Sequence, residues 1–118
     1  MSAADKRAKG PAPTHMKRPH HHHLVREAAP RNWSKADRGA VYHAQNLARK
    51  HKLDVDRDPR NFVWAENGRG AHTRENARFI RDVLSKADKK GKFFEALEAL
   101  GNNASDSKFL RSIDIDKL

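Results

Sequence analysis

A mostly helical α+β fold with very little sheet is predicted by three observations on this sequence. Three stretches repeat apolar residues every three or four positions, the spacing that gives a helix one buried face. Two short runs, one of histidines passing into Leu24-Val25 and one at Phe62-Val63-Trp64, sit between turn formers as strands do. Only 36% of the 118 residues are hydrophobic and 34% are charged, so the core is modest and part of the chain lies outside it.

Residues 1–18 hold Ala, Lys and Pro and almost nothing that packs. They read as a flexible basic lead-in to a single folded domain over 19–118. A short strand starts in the histidines and continues through Leu24 and Val25, before Pro30 interrupts. Ser34 can cap a first helix, with Asp37 at capping-box spacing and Ala40, Val41, Ala44, Leu47 and Ala48 on one apolar face. Lys50, His51 and Lys52 stand near its C-terminal end, where the helix dipole favours cations.

A turn around Pro59 leads into the Phe62-Val63-Trp64 strand, and Asn67-Gly68 makes the next turn. A second helix begins near Thr73, carries Phe79, Ile80, Val83 and Leu84 as its stripe, and breaks at Lys89-Lys90-Gly91. A third runs from about Lys92 to Leu100, burying Phe93, Phe94 and Leu97, with Gly101 as its stop. The remainder adds a short turn or strand, with Asp114 and Asp116 in a solvated tail.

The formal net charge is +10. A surplus of that size attracts polyanions, and the commonest for a small basic protein is nucleic acid. An anionic membrane would require a broad apolar helix face opposite a basic one, whereas these helices are patterned for a core; no membrane insertion is expected. With no cysteine, disulfides and thiolate metal sites are excluded, so any metal is held by nitrogen and oxygen.

Two features carry chemistry. The first is the run His20-His21-His22-His23, which an affinity tail or a solvated strand edge would also carry. The second is the segment from Asn61 to Asn76, in which His72 lies at the mouth of the second helix and Asn76 four residues on. That spacing stacks two side chains on one helical face, where they can grip one ion. Arg26, Arg69 and Arg74 stand next to these features in sequence and are candidates to meet phosphate. His43, beside the first helix's apolar face, and His51, a C-terminal helix cation, are weaker candidates, and Trp33 and Trp64 read as core anchors. Asp54, Asp56 and Asp58 alternate like a calcium loop but lack its glycine and distal glutamate.

In order and spacing, "HHLV" at His22 to Val25, "NFVW" at Asn61 to Trp64 and "HTREN" at His72 to Asn76 resemble the HNH/endonuclease VII superfamily. In particular they resemble the histidine-pair toxin nucleases at the C-termini of bacterial polymorphic toxins. The resemblance spans about Pro19 to Leu84. It implies a ββα-metal core with an inserted helix and a C-terminal helix. It also implies that His22, His72 and Asn76 hold one divalent ion (Mg, Mn, Ni or Zn) and that His23 is the general base. Asn61 would tie two loops together and orient that base. Asn76 stands where the family often has a histidine. The four-histidine run leaves a second register open, with His21 and His22 as the pair. The function so implied is a metal-dependent endonuclease hydrolysing DNA, the effector of a toxin delivered to a target bacterial cytoplasm and neutralised by an acidic immunity protein. The alternatives are a non-catalytic basic nucleic-acid-binding module and a metal-independent RNase toxin.

Overall fold

The computed structural model describes residue 14 and residues 19–66, 73–105 and 111–118. The rest of the 1–18 lead-in lies outside the described residues, as do the Asn67-Gly68 turn, Arg69 and His72. The chain is a small α+β fold of three helices and a two-stranded antiparallel sheet. Its elements run β1 (Pro19–His23), α1 (Lys35–Lys50), β2 (Phe62–Glu66), α2 (Arg74–Lys89) and α3 (Phe93–Ser105). Single 3-10 turns stand at Pro59–Asn61 and Ile115–Lys117. Among the described residues no helix is long and apolar enough to cross a membrane.

In the sheet His21 lies opposite Trp64, His22 opposite Val63 and His23 opposite Phe62. Leu24 and Val25 do not continue the strand as the sequence suggests. The partner strand begins at Phe62, so nothing remains for them to pair with in a ladder. Instead the Leu24 N–H donates to the Asn61 carbonyl at 2.7 Å, and Val25 turns to the Asn61 side chain.

Ser34 caps α1 as expected, its Oγ accepting from the Asp37 N–H at 3.1 Å. The Asp37 carboxylate does not close the capping box. It accepts from Arg78 Nη1 of α2 at 2.5 Å and so joins two helices. Both α1 and α2 end in the same six-residue motif. Beyond α1, Leu53 N–H reaches the Ala48 carbonyl and Lys52 N–H that of Arg49; beyond α2, Lys92 reaches Ala87 and Gly91 reaches Asp88. Such caps need one residue of positive φ, supplied by Gly91 (69°) in one case and by Lys52 (56°) in the other.

Between the helices lies one main core that includes Leu24, Val25, Leu47, Val63, Leu84, Phe93 and Leu97. Trp33, Val41 and Ala77 form a smaller cluster, so Trp33 is the anchor its sequence position suggests. The third helix runs through Gly101 rather than stopping there. A Cβ at Gly101 would stand 3.2 Å from Val63 Cγ1 and 3.7 Å from Leu24 Cδ1, so this glycine serves close approach of helix to strand. Running on also buries Ala104, in line with Leu97 and Leu100. Nor is the C-terminal segment a solvated tail. Ile115 is buried, Asp116 pairs with Lys90, and Lys92 Nζ donates to the Leu118 carbonyl at 2.8 Å.

Candidate metal centre at the exit of β1

Alternation along β1 sends neighbouring histidines to opposite faces. His22 shares a face with Val63, the residue against Gly101 of α3, and is buried to 4% exposure. His21 and His23 share the other face. The ring of His21 lies 3.7 Å from that of Trp64, and the ring of His23 4.4 Å from that of Phe62. The adjacent pair is therefore divided by the strand itself.

His23 is the member that meets other chemistry-bearing groups. Its Nε2 lies 3.7 Å from Glu27 Oε2 and 3.5 Å from Asp56 Oδ1. Both distances are too long for good hydrogen bonds. Nε2 is buried and has no hydrogen-bond partner among the described residues, while both carboxylates stay open to solvent. One donor atom from each residue lies within 4.8 Å of the other two, so the group can hold a metal ion.

Three segments carry these side chains, and two amides hold the segments together. Asn61, fully buried, accepts from the Val25 N–H at 2.8 Å and donates back to the Val25 carbonyl at 3.0 Å. Its Nδ2 also donates to the Val55 carbonyl at 2.7 Å, so one side chain ties the chain after His23 to the chain before Asp56. Gln45 of α1 performs a similar task for Glu27, its Nε2 donating to the Arg26 and Glu27 carbonyls at 2.9 and 2.8 Å. The Asp56 N–H donates to Asp54 Oδ1, which closes the local turn.

The electrostatics of the cluster run against those of the chain. In a sequence with net charge +10, Glu27 and Asp56 form no ion pair with lysine or arginine among the described residues; their ionic neighbour is His23. Hydrogen bonding to the neighbouring Glu27 carboxyl, and after it the His23 imidazole, holds the Asp56 carboxyl below its ordinary range, against the opposing effect of burial. A cavity of about 500 Å³ opens between Glu27, Asp56 and α1, lined also by Gln45, Arg49, Leu53 and Val55. A second, of about 270 Å³, lies along His21, His22, His23 and Arg26.

The other residues singled out in the sequence are dispersed around this centre. Arg26 lines the smaller cavity, with its guanidinium 4.9 Å from the Trp33 ring centroid, and burial lowers its pKa. Asn76 is buried in the first turn of α2 and shares a small void with Leu24 under the β1 exit. Arg74 is exposed nearby, where it helps Arg78, the stronger influence, to keep Asp37 ionised. His43 is exposed on α1. His51 caps α1 and reaches α2 and α3, with Nε2 2.6 Å from Asp88 Oδ1 and its ring stacked on Phe93 at 4.3 Å.

Glu27 and Asp56 are the members that sequence reasoning missed. Asp56 is visible only as the middle of the Asp54, Asp56, Asp58 alternation, whose outer members do local work. Asp54 closes the turn and Asp58 binds Arg60. Glu27 stands four residues from His23, but in a loop that spacing carries no meaning until Gln45 fixes the backbone. No protein-family model, curated protein or solved structure matches the chain.

Proposed function

We propose that this protein is a cation-dependent endonuclease that hydrolyses DNA phosphodiester bonds, with its reactive centre at the exit of β1. The observation that carries the reading is the Asn61 amide. It binds the Val25 backbone in both directions and holds the histidine strand to the strand it opens, the task the resemblance gives to the middle asparagine. The order of strand, inserted helix, strand and helix supports a ββα-metal arrangement, and the net charge supports a polyanionic substrate.

In this reading water adds to phosphorus, the bond to the 3′ oxygen breaks, and the proton lost by water is matched by one gained at the leaving oxygen. A bound divalent cation supplies positive charge against the phosphate. His23 is the residue on which the reaction depends, and the resemblance makes it the proton acceptor. Arg26, beside it along the smaller cavity, adds positive charge for the phosphate. The lifestyle that fits is that of a toxin effector, with an acidic immunity protein covering the site.

The test is supercoiled plasmid incubated with the full chain and Mg²⁺, Mn²⁺, Ni²⁺ or Zn²⁺, with and without EDTA, beside His23→Ala. Nicking followed by linearisation is expected with at least one cation, and neither with EDTA nor in the variant. Intact plasmid under every cation, or full cleavage by His23→Ala, would overturn the reading.

A further inference from the structure

We infer that His23, Glu27 and Asp56 together form a divalent-cation site, so that His23 holds the ion rather than accepting a proton. The inference rests on the nuclease reading for its purpose, but on geometry for its existence.

Donor geometry comes first. Around one ion with bonds of about 2.1 Å, neighbouring donor atoms stand roughly 3.0–3.5 Å apart. The two carboxylate oxygens lie 3.5 and 3.7 Å from the same imidazole nitrogen, and the whole set falls within 4.8 Å. Small rotations of two exposed carboxylates close it. Those distances are too long for hydrogen bonds yet close to what a shared ion imposes.

Unmet demand is the second point. Nε2 of His23 is a buried ring nitrogen with no hydrogen bond among the described residues. A buried polar atom left so carries a cost that a ligand removes. Glu27 and Asp56 find no lysine or arginine partner among the described residues, although the chain has ten more positive than negative groups. A divalent cation satisfies the nitrogen and both carboxylates at once.

The third point is the frame. All three backbones are fixed before any ion arrives: His23 by its pairing with Phe62, Glu27 through Gln45, and Asp56 through Asn61 at Val55 and Asp54 at its own N–H. Pre-set ligands spare the ordering cost of binding. The open cavity along Glu27 and Asp56 leaves the remaining coordination positions to water and substrate oxygen. One nitrogen with two carboxylates suits manganese or zinc better than magnesium, which favours oxygen alone.

The experiment is calorimetric titration of Mn²⁺, and separately Zn²⁺, into the full chain at neutral pH. Wild type is compared with Glu27→Gln, Asp56→Asn, His23→Ala and the exposed control His43→Ala, with circular dichroism confirming the fold of each. The two carboxamide variants alter exposed side chains and should fold. One ion per chain is expected in wild type and His43→Ala. At least tenfold weaker binding is expected in the other three. Wild-type affinity in His23→Ala is what a proton acceptor predicts, and it would overturn the site, as would unchanged affinity in both carboxamide variants or no binding in wild type. The nuclease reading is judged apart from this. Plasmid cleaved at full rate by the carboxamide variants sinks the site and leaves the nuclease, whereas cation binding without cleavage sinks the nuclease and leaves the site.

Discussion

The helical core and the β1 exit are held by different means. In the core, Leu84, Phe93, Leu97 and their neighbours share the burial, so no single contact decides the packing. At the β1 exit Val25, Leu53 and Val55 reach the same core, but two amides, those of Asn61 and Gln45, make the directional connections that bring His23, Glu27 and Asp56 together. Hydrophobic burial is non-directional and tolerates small shifts, whereas a cation site needs donor atoms placed within about half an ångström. The fold therefore assigns bulk stability to one region and geometry to the other.

Two substitutions test that division. Leu84→Ala, at a fully buried position, is expected to cost about 2–5 kcal/mol through lost burial and the cavity left behind. The folded fraction, checked at low temperature, should still bind Mn²⁺ as wild type does. Asn61→Ala leaves a buried N–H and two carbonyls without their partner, at about 1–3 kcal/mol for each group left unsatisfied. Here Mn²⁺ affinity should fall at least tenfold even where circular dichroism shows the chain folded. Equal loss of affinity in both variants would mean that the two regions are not separable.

How much of this was legible in the sequence follows the same division. Helix faces are periodic, so Ala40 to Ala48 and Ile80 to Leu84 announce themselves, and Ser34 and Thr73 mark the caps. Gly101 misleads because a helix stop and a close approach call for the same residue, and only the position of Val63 separates them. The centre is legible at His23 and Asn61, which carry the resemblance. It is not legible at Glu27 and Asp56, because their approach depends on hydrogen bonds between backbone and side chains 18 and 6 residues apart in sequence. Amphipathic spacing says nothing about such bonds.

A smaller effect separates the α1–α2 joint from both regions. Arg78, before all else, lowers the Asp37 carboxyl below its ordinary 3.8, and Lys50 followed by His51 does the same for Asp88. Groups depressed in this way stabilise the fold above their unfolded value, and the contribution is lost as pH falls through the folded value. Thermal melts should therefore drop as pH falls below about 4. Asp37→Asn should melt lower than wild type at pH 6, with the two converging at low pH. Parallel curves at all pH values would remove this pair from the acid limb.

The smallest change expected is a gain. The caps of α1 and α2 are alike in hydrogen bonding, yet one uses Gly91 and the other Lys52 at positive φ. A residue with a Cβ pays about 1–2 kcal/mol in that conformation. Glycine avoids the strain but loses more freedom on folding, worth roughly 0.5–1 kcal/mol. Lys52→Gly should accordingly raise stability by about 0.5–1 kcal/mol, or a few degrees in Tm. Lys52 also launches the loop that leads through Leu53 and Val55 to Asp56, and Leu53 is anchored in the core. If geometry at the centre is set by Asn61 and not by the cap, Mn²⁺ affinity should stay within about twofold of wild type. A Tm gain accompanied by a tenfold loss of affinity would show instead that the strained cap helps to aim Asp56.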